Sequence, residues 1–407
     1  MARPASGRAP LTAARPAYLL LLALLALPAA ASAPCASELD CTYNGLCTPA
    51  GECQCDAGWG GPSCAALKLG VTDPALGHPW GAPGSSWGGL PVFDPEGGAW
   101  HLFYSQMEGG CGLGAWGTNS RVVHARSSSP LGPFEDVDVV QPAFSHNAHA
   151  FRTPEGTWVV WHIGCAQGER VVNCSGGTPS PALPLAPRTV PPGAPGSNPS
   201  PLCTPQPFGA LGEGYISYLW APTPSGPWTP LGRPALAGSL NRSTWWPFLT
   251  NPAPWLQRDG SVLLAVSGDG GASGKCSGFA VAPSWNATFT IEGRSDRAPI
   301  TEAEDPFVWV NARGHRHALW HDTSGRSNGG HAFAPASAPL EWTVASRALY
   351  TGAITFPNGS TAVANDRERP KLLVDDSGVP LGLFNGLIPP SVSGNGACFT
   401  AVTRIEL

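Results

Sequence analysis

Charge is scarce in this sequence. Asp, Glu, Lys and Arg make up only 13% of its 407 residues, against about a quarter in ordinary globular chains, and the net charge is −5. The few cations form no basic stripe and no polybasic cluster, which excludes a nucleic-acid groove and a membrane-surface patch. Beyond residue 33 no apolar run approaches the roughly 20 residues needed to cross a bilayer, so no membrane span is expected. The ten histidines show no metal-ligand spacing. Neither a metal nor a cofactor is expected.

Glycine (51), proline (45), tryptophan (16) and cysteine (12) are abundant. Many turn formers and many aromatics describe short strands joined by tight connections. Arg3, Arg8 and Arg15 precede the Leu/Ala run Tyr18 to Leu27, and small residues Ala29, Ala31 and Ala33 follow, the pattern of a signal peptide over residues 1–33. Twelve cysteines fit an oxidising compartment, as do the sequons at Asn173, Asn241, Asn286 and Asn358. A secreted, extracellular monomer is expected.

Six cysteines crowd residues 34–65: Cys35, Cys41, Cys47, Cys53, Cys55 and Cys64, spaced C-x5-C-x5-C-x5-C-x-C-x8-C. So short a segment cannot bury enough apolar surface to fold alone, and bridges must substitute for a core. Spacing alone leaves 15 connectivities open. Asn44-Gly45 before the third cysteine and Cys53-Gln54-Cys55-Asp56-Ala57-Gly58-Trp59 resemble the EGF-like family. That resemblance implies Cys35–Cys47, Cys41–Cys53 and Cys55–Cys64, and the role of a spacer or adhesion unit. The Ala33-Pro34 prefix lacks the acidic residues through which calcium-binding relatives hold their ion.

Residues 66–407 contain a repeat. Five inner segments begin at Leu90-Pro91-Val92-Phe93, Asn147 to Phe151, Asn251 to Trp255, Glu304 to Trp309 and Glu368 to Leu373. A polar turn follows each, such as Asp94-Pro95-Glu96-Gly97 or Asp375-Asp376-Ser377-Gly378, and then an apolar second strand. Such turns between alternating apolar runs are strong hairpin signals. A second hairpin echoes in Ala125 to Phe134, Ala221 to Trp228, Ala282 to Phe289 and Ala334 to Trp342. Two hairpins make one four-stranded blade. The units recur every 54 to 64 residues, except for one gap of 104 between Phe151 and Trp255, which holds a Pro-rich stretch at about 176–201 expected to be a flexible loop. The expected fold is all-β, a five-bladed propeller behind an N-terminal disulfide-rich module. Cys111, Cys165, Cys174, Cys203, Cys276 and Cys398 are expected to pair.

Inner-strand starts converge on a central funnel. They bring Asn147, His149, Asn251, Glu304, Asp305, Asp366, Arg367, Glu368 and Arg369 together, with His321 close behind. Glu304-Asp305-Pro306-Phe307-Val308-Trp309, with its Gly turn and His317-Ala318-Leu319-Trp320-His321, resembles the strand bearing the general acid in the glycoside hydrolase superfamily of arabinanases, xylosidases and invertases, including family 43. The resemblance implies Glu304 as proton donor and a second carboxylate, Asp305 or Asp366, acting opposite it. Asn147, His149, Asn251, His321, Arg367 and Arg369 are then candidates for hydrogen bonds to sugar hydroxyls. The family's base aspartate belongs at the first unit's start, where Leu90-Pro91 stands, and its second aspartate is replaced by Asn147 and His149. Most tryptophans, Trp245, Trp246 and Trp255 among them, are expected in the core, with one or two left to stack on a sugar. Two functions follow: a secreted glycoside hydrolase acting on extracellular polysaccharide, or a non-catalytic propeller that binds glycan or a protein ligand, with the EGF-like unit as spacer; the partner is a carbohydrate or another extracellular ligand.

Overall fold

The computed structural model describes residues 34–164, 171–174, 177, 179–189, 216–237, 246–269, 274–293, 299–323, 328–390 and 397–407. The leader at 1–33, Asn241, Trp245, Cys165 and Cys203 lie outside them, as do the Trp246 side chain and most of the Pro-rich stretch. No helix among the described residues is long and apolar enough to cross a membrane.

Five antiparallel sheets form the blades of a propeller. Blade 2 runs from the inside out through Ser145–Arg152, Trp158–Gly164, Ile216–Ala221 and Thr229–Gly232. Blade 4 repeats it with Ala303–Val310, Arg316–Asp322, Gly329–Ala334 and Thr343–Val344. Blade 3 is built on Trp246–Leu256, Val262–Asp269, Lys275–Ala282 and Phe289–Glu292. Blade 5 takes Asp366–Val374, Pro380–Ile388 and Phe399–Ile405 from the C-terminus and its outermost strand, Leu69–Thr72, from just after the disulfide module. That strand closes the ring, and the Thr72 and Thr403 hydroxyls meet at 2.7 Å across the seam.

The hairpins form because their turns carry their own acceptors. Asp94, Asp259, Asn311 and Asp375 each take backbone N–H groups two to four residues on, so the turns are set locally. Small residues ending the third strands, Ala125, Ala221 and Ala282, are buried and leave room for Phe134, Trp228 and Phe289, buried in turn. Between blades 1 and 2, Phe103 meets Trp228 edge-on at 5.7 Å, and Phe289 of blade 3 meets Trp161 of blade 2 at 5.5 Å.

Blade 1 differs from its expected start. Its inner strand begins earlier, at Ser85–Trp87, breaks at Gly88 and Gly89, and resumes at Pro91–Asp94, with Ala99–Met107, Ser120–Ser127 and Glu135–Gln141 outside it. The two glycines hide the first half of the strand from any reading of apolar alternation. The expected flexible loop is also corrected in part. Leu185 and Arg188 bridge to Val139 and Trp228, and Ala186 is buried, so this piece is laid against blades 1 and 2.

The disulfide module has bridges Cys35–Cys47, Cys41–Cys53 and Cys55–Cys64, and a fourth joins Cys111 to Cys174. Cys398, expected to pair, is instead a buried thiol. The module shares its core with the propeller: Cys41, Trp59, Cys64 and Leu67 pack in one cluster with Trp309, Phe307 and Ile405.

Candidate active site

The inner strands of blades 2 to 5 each carry a bulge at the same place. Register slips between His146 and His149, Thr250 and Ala253, Glu304 and Phe307, and Glu368 and Lys371. The residue opening each bulge is left-handed: Asn147 (φ 59°), Asn251 (59°), Asp305 (55°) and Arg369 (50°), with Gly88 (68°) in the same place in blade 1. Asn and Asp accept this conformation readily because the short side chain bonds locally. Proline follows in blades 3, 4 and 5, as Pro252, Pro306 and Pro370, where the bulge needs no ladder N–H. A bulge twists the strand and re-aims its side chains. Here it turns the preceding residue of every blade, Trp87, His146, Thr250, Glu304 and Glu368, into one axial cavity of about 210 Å³.

The bulge residues form the cavity floor as a closed polar ring. Asn147 Nδ2 donates to Asn251 Oδ1, and Asn251 Nδ2 donates to Ser267 Oγ at 3.2 Å. Ser267 Oγ also accepts the Asp305 N–H at 3.0 Å, Asp305 Oδ1 accepts from Arg369 Nη1 at 2.5 Å, and Arg369 reaches back to the Asn147 carbonyl. Burial would raise Asp305, but Arg369 and then His321, which donates from Nδ1 at 3.1 Å, hold its carboxyl well below the usual range. Among the described residues Asn147 Oδ1 is buried with no partner.

Two further carboxylates stand on this floor. The His321 Nε2 lies 3.9 Å from Glu304 and 4.0 Å from Glu368, which caps the separation of their nearest oxygens at about 8 Å. Burial disfavours the imidazolium, yet Asp305, Glu368 and Glu304 outweigh it and raise His321 to about 9. Burial pushes Glu368 up to about 7, with His321 opposing and Asp305, Asp366 and Glu304 adding to the rise. Glu304 instead faces the half-exposed Lys275 ammonium at 3.2 Å. Asp305, His321 and Glu368 approach one another closely enough to hold a cation, with ligand atoms all within 4.8 Å. Trp87, Leu113 and Trp116 wall the cavity on the blade 1 side, and Trp116 lies 5.2 Å from the His146 ring.

Of the candidates from sequence, Glu304, Asp305, Asn147 and Asn251 line the cavity, and His321 and Arg369 sit just beneath. The rest are elsewhere. Arg367 is turned into blade 5, where it donates to Asn385 Oδ1, Thr403 Oγ1 and the carbonyls of Thr351 and Ala353. His149 is buried below the ring, 6.0 Å from Phe307, and Trp255 packs on the same ring at 6.1 Å. Asp366 lies two residues before Glu368, outside the cavity lining. Lys275, Trp87, Trp116, His146 and Thr250 were missed, and Glu368, placed in the funnel by the sequence, was given no role there. For Thr250 and Glu368 the readable signal was the residue before an Asn-Pro or Arg-Pro pair, since the bulge aims that side chain inward. Asn173, Asn286 and Asn358 are exposed.

The sequence matches no known family profile and no curated protein. Solved structures do match. An α-L-arabinofuranosidase from Podospora anserina, solved with cellotriose, is 11% identical over 84% of this chain and 98% of its own, with a TM-score of 0.52. A GH62 hydrolase solved with xylotriose is 10% identical, with the same coverage of both chains and a TM-score of 0.50. A family 117 glycoside hydrolase from Zobellia galactanivorans is 13% identical over 79% of this chain and 84% of its own, at 0.49. At such identities the likeness is one of fold alone, and the first two structures carry it.

Proposed function

We propose that this chain is a secreted glycoside hydrolase acting on extracellular polysaccharide, with Glu368 as the proton donor and Glu304 as the carboxylate opposite it. The observation that carries this reading is the convergence of both groups on His321 Nε2, at 3.9 and 4.0 Å, in a cavity where burial raises Glu368 to about 7. Glycoside cleavage needs two carboxyl groups whose surroundings drive their pKa values apart. Glu368 holds a proton near neutrality and can pass it to the departing glycosidic oxygen. Glu304, beside Lys275, acts on the anomeric carbon directly or through water; separations of about 5–5.5 Å and 6.5–9.5 Å correspond to those two routes. Asn147 Oδ1 is left to accept from a sugar hydroxyl, and Trp116 offers a ring face. The same reading takes residues 1–33 as the leader, the disulfide module as EGF-like, and the exposed sequons as glycan sites.

A second reading rests on blades 1 to 3, which among the described residues present Trp87, His146, Asn147, Thr250 and Asn251 to the cavity and no carboxylate. That set suits a glycan-binding propeller without turnover. Arabino-, xylo- and gluco-oligosaccharides incubated with the native chain, Glu368→Gln and Glu304→Gln decide between them. Hydrolysis by the native chain that drops at least ~100-fold in both variants supports the two-carboxylate route. Binding without hydrolysis in all three supports the second reading.

A further inference from the structure

The disulfide module docks on the face opposite the cavity, against the first turn and outer strands of blade 4. Tyr43 stacks on His315 at 4.0 Å, Trp59 lies over Trp309 at 6.3 Å and beside His331 at 5.6 Å, and Arg313 reaches Asp56 at 2.7 Å. At its centre are two fully buried histidines, His317 and His331.

Hydrogen-bond direction determines their protonation. Asn311 Nδ2 donates to the Tyr43 carbonyl at 3.0 Å and to His317 Nε2 at 3.1 Å. Its Oδ1 accepts the N–H groups of Arg313 and His315, both at 3.0 Å. All four bonds are made one way round, so the amide cannot reverse without setting its NH2 against two N–H donors. His317 Nε2 is therefore bare, and its Nδ1–H donates to His331 Nε2 at 3.2 Å. One chain of bonds runs from Tyr43 through Asn311 and His317 to His331.

A proton added to either imidazole breaks that chain. On His317 Nε2 it faces the Asn311 NH2; on His331 Nε2 it faces the His317 N–H. The charged groups around the pair are Arg313 and His315 from blade 4 and Glu38 and Asp56 from the module, with Tyr43 the remaining titratable group. Both carboxylates are engaged by Arg313 and His315, at 2.7 to 3.6 Å, and among the described residues neither buried ring touches one. Nothing is placed to compensate an imidazolium.

We propose that His317 and His331 form an acid-sensitive latch, which keeps the disulfide module docked at neutral pH and releases it from blade 4 on acidification. Burial holds His331 down at about 3, and burial together with His331, His315 and Arg313 holds His317 well below its ordinary value. Undocking takes Trp59 off both rings, and an imidazole in water titrates near 6.5. Docking strength is therefore complete above that pH and is lost as pH falls toward 3. With two sites the docking constant drops by up to ~100-fold per pH unit within the window.

Amide hydrogen exchange of the intact, disulfide-bonded chain tests this, with protection corrected for intrinsic rates and compared between pH 7 and pH 4. The latch predicts that protection in residues 41–68 falls by at least ~10-fold per pH unit below about 6, while the second strands of blades 2 and 3 keep theirs. His331→Gln should halve the steepness, and Glu38→Gln should leave the onset near pH 6. Module protection that stays level with the blades down to pH 4 overturns the proposal in the native chain alone, whether or not the variants fold. An onset near pH 4 that moves with Glu38→Gln overturns it too, by assigning the effect to carboxylates.

Discussion

Three adjacent acids, Glu304, Asp305 and Glu368, are chemically near-equivalent in isolation and are made different here by their neighbours. Asp305 is the structural one, clamped between Arg369 and His321. Asp305→Asn leaves the fully buried Arg369 uncompensated and should cost about 3–5 kcal/mol, read as a large loss of Tm. Because its carboxyl is held down in the folded state, the stability it contributes is present above about pH 4 and is lost as pH falls below that. Glu368 is the opposite case, with burial raising it to about 7. If it donates the proton, activity falls as pH rises through about 7, and Glu368→Gln abolishes that limb of the pH–rate profile with little change in Tm. Sequence placed both Asp366 and Glu368 at the funnel, and the cavity lining takes in Glu368 but not Asp366. Arg367 and Glu368 are neighbours on a strand, so one faces the blade and the other the axis, and alternation alone does not say which.

Strands supply the positions and bulges supply the aim. The five left-handed residues, Gly88, Asn147, Asn251, Asp305 and Arg369, convert five similar strands into a ring of converging side chains. Gly88 is constrained twice, by its φ of 68° and by Arg369, whose Nε would lie 3.2 Å from an added Cβ. Gly88→Ala should cost about 1–2 kcal/mol and loosen the floor. Gly386 lies under the Trp87 indole, and a Cβ there would sit 2.4 Å from the ring. Gly386→Ala should push Trp87 into the cavity, weakening oligosaccharide binding in a titration calorimeter by more than it lowers Tm. The hairpins themselves were legible, because Asp94, Asn311 and Asp375 bond their own turns without help from distant residues. The bulges were not, since each becomes visible only against its partner strand.

Closure and docking belong to the whole molecule. Leu69–Thr72 supplies the last strand of blade 5, so a chain shortened past Thr72 should lose its cooperative thermal transition, followed by circular dichroism. Trp59 sits in the shared core, and Trp59→Ala should cost about 3–5 kcal/mol in a denaturant titration. By itself the sequence determined the local elements: an all-β chain, a cysteine-stapled module, five hairpin units and a chain almost without charge to spare. Those features come from turn chemistry, side-chain alternation and cysteine spacing, which act over a few residues. Tertiary structure alone decided that the first blade opens at Ser85 rather than Leu90, that Glu368 and not Asp366 shares the cavity with Glu304, and that the module is part of the core. Each of these depends on the register between strands or on contacts between segments hundreds of residues apart. No short-range rule carries that information.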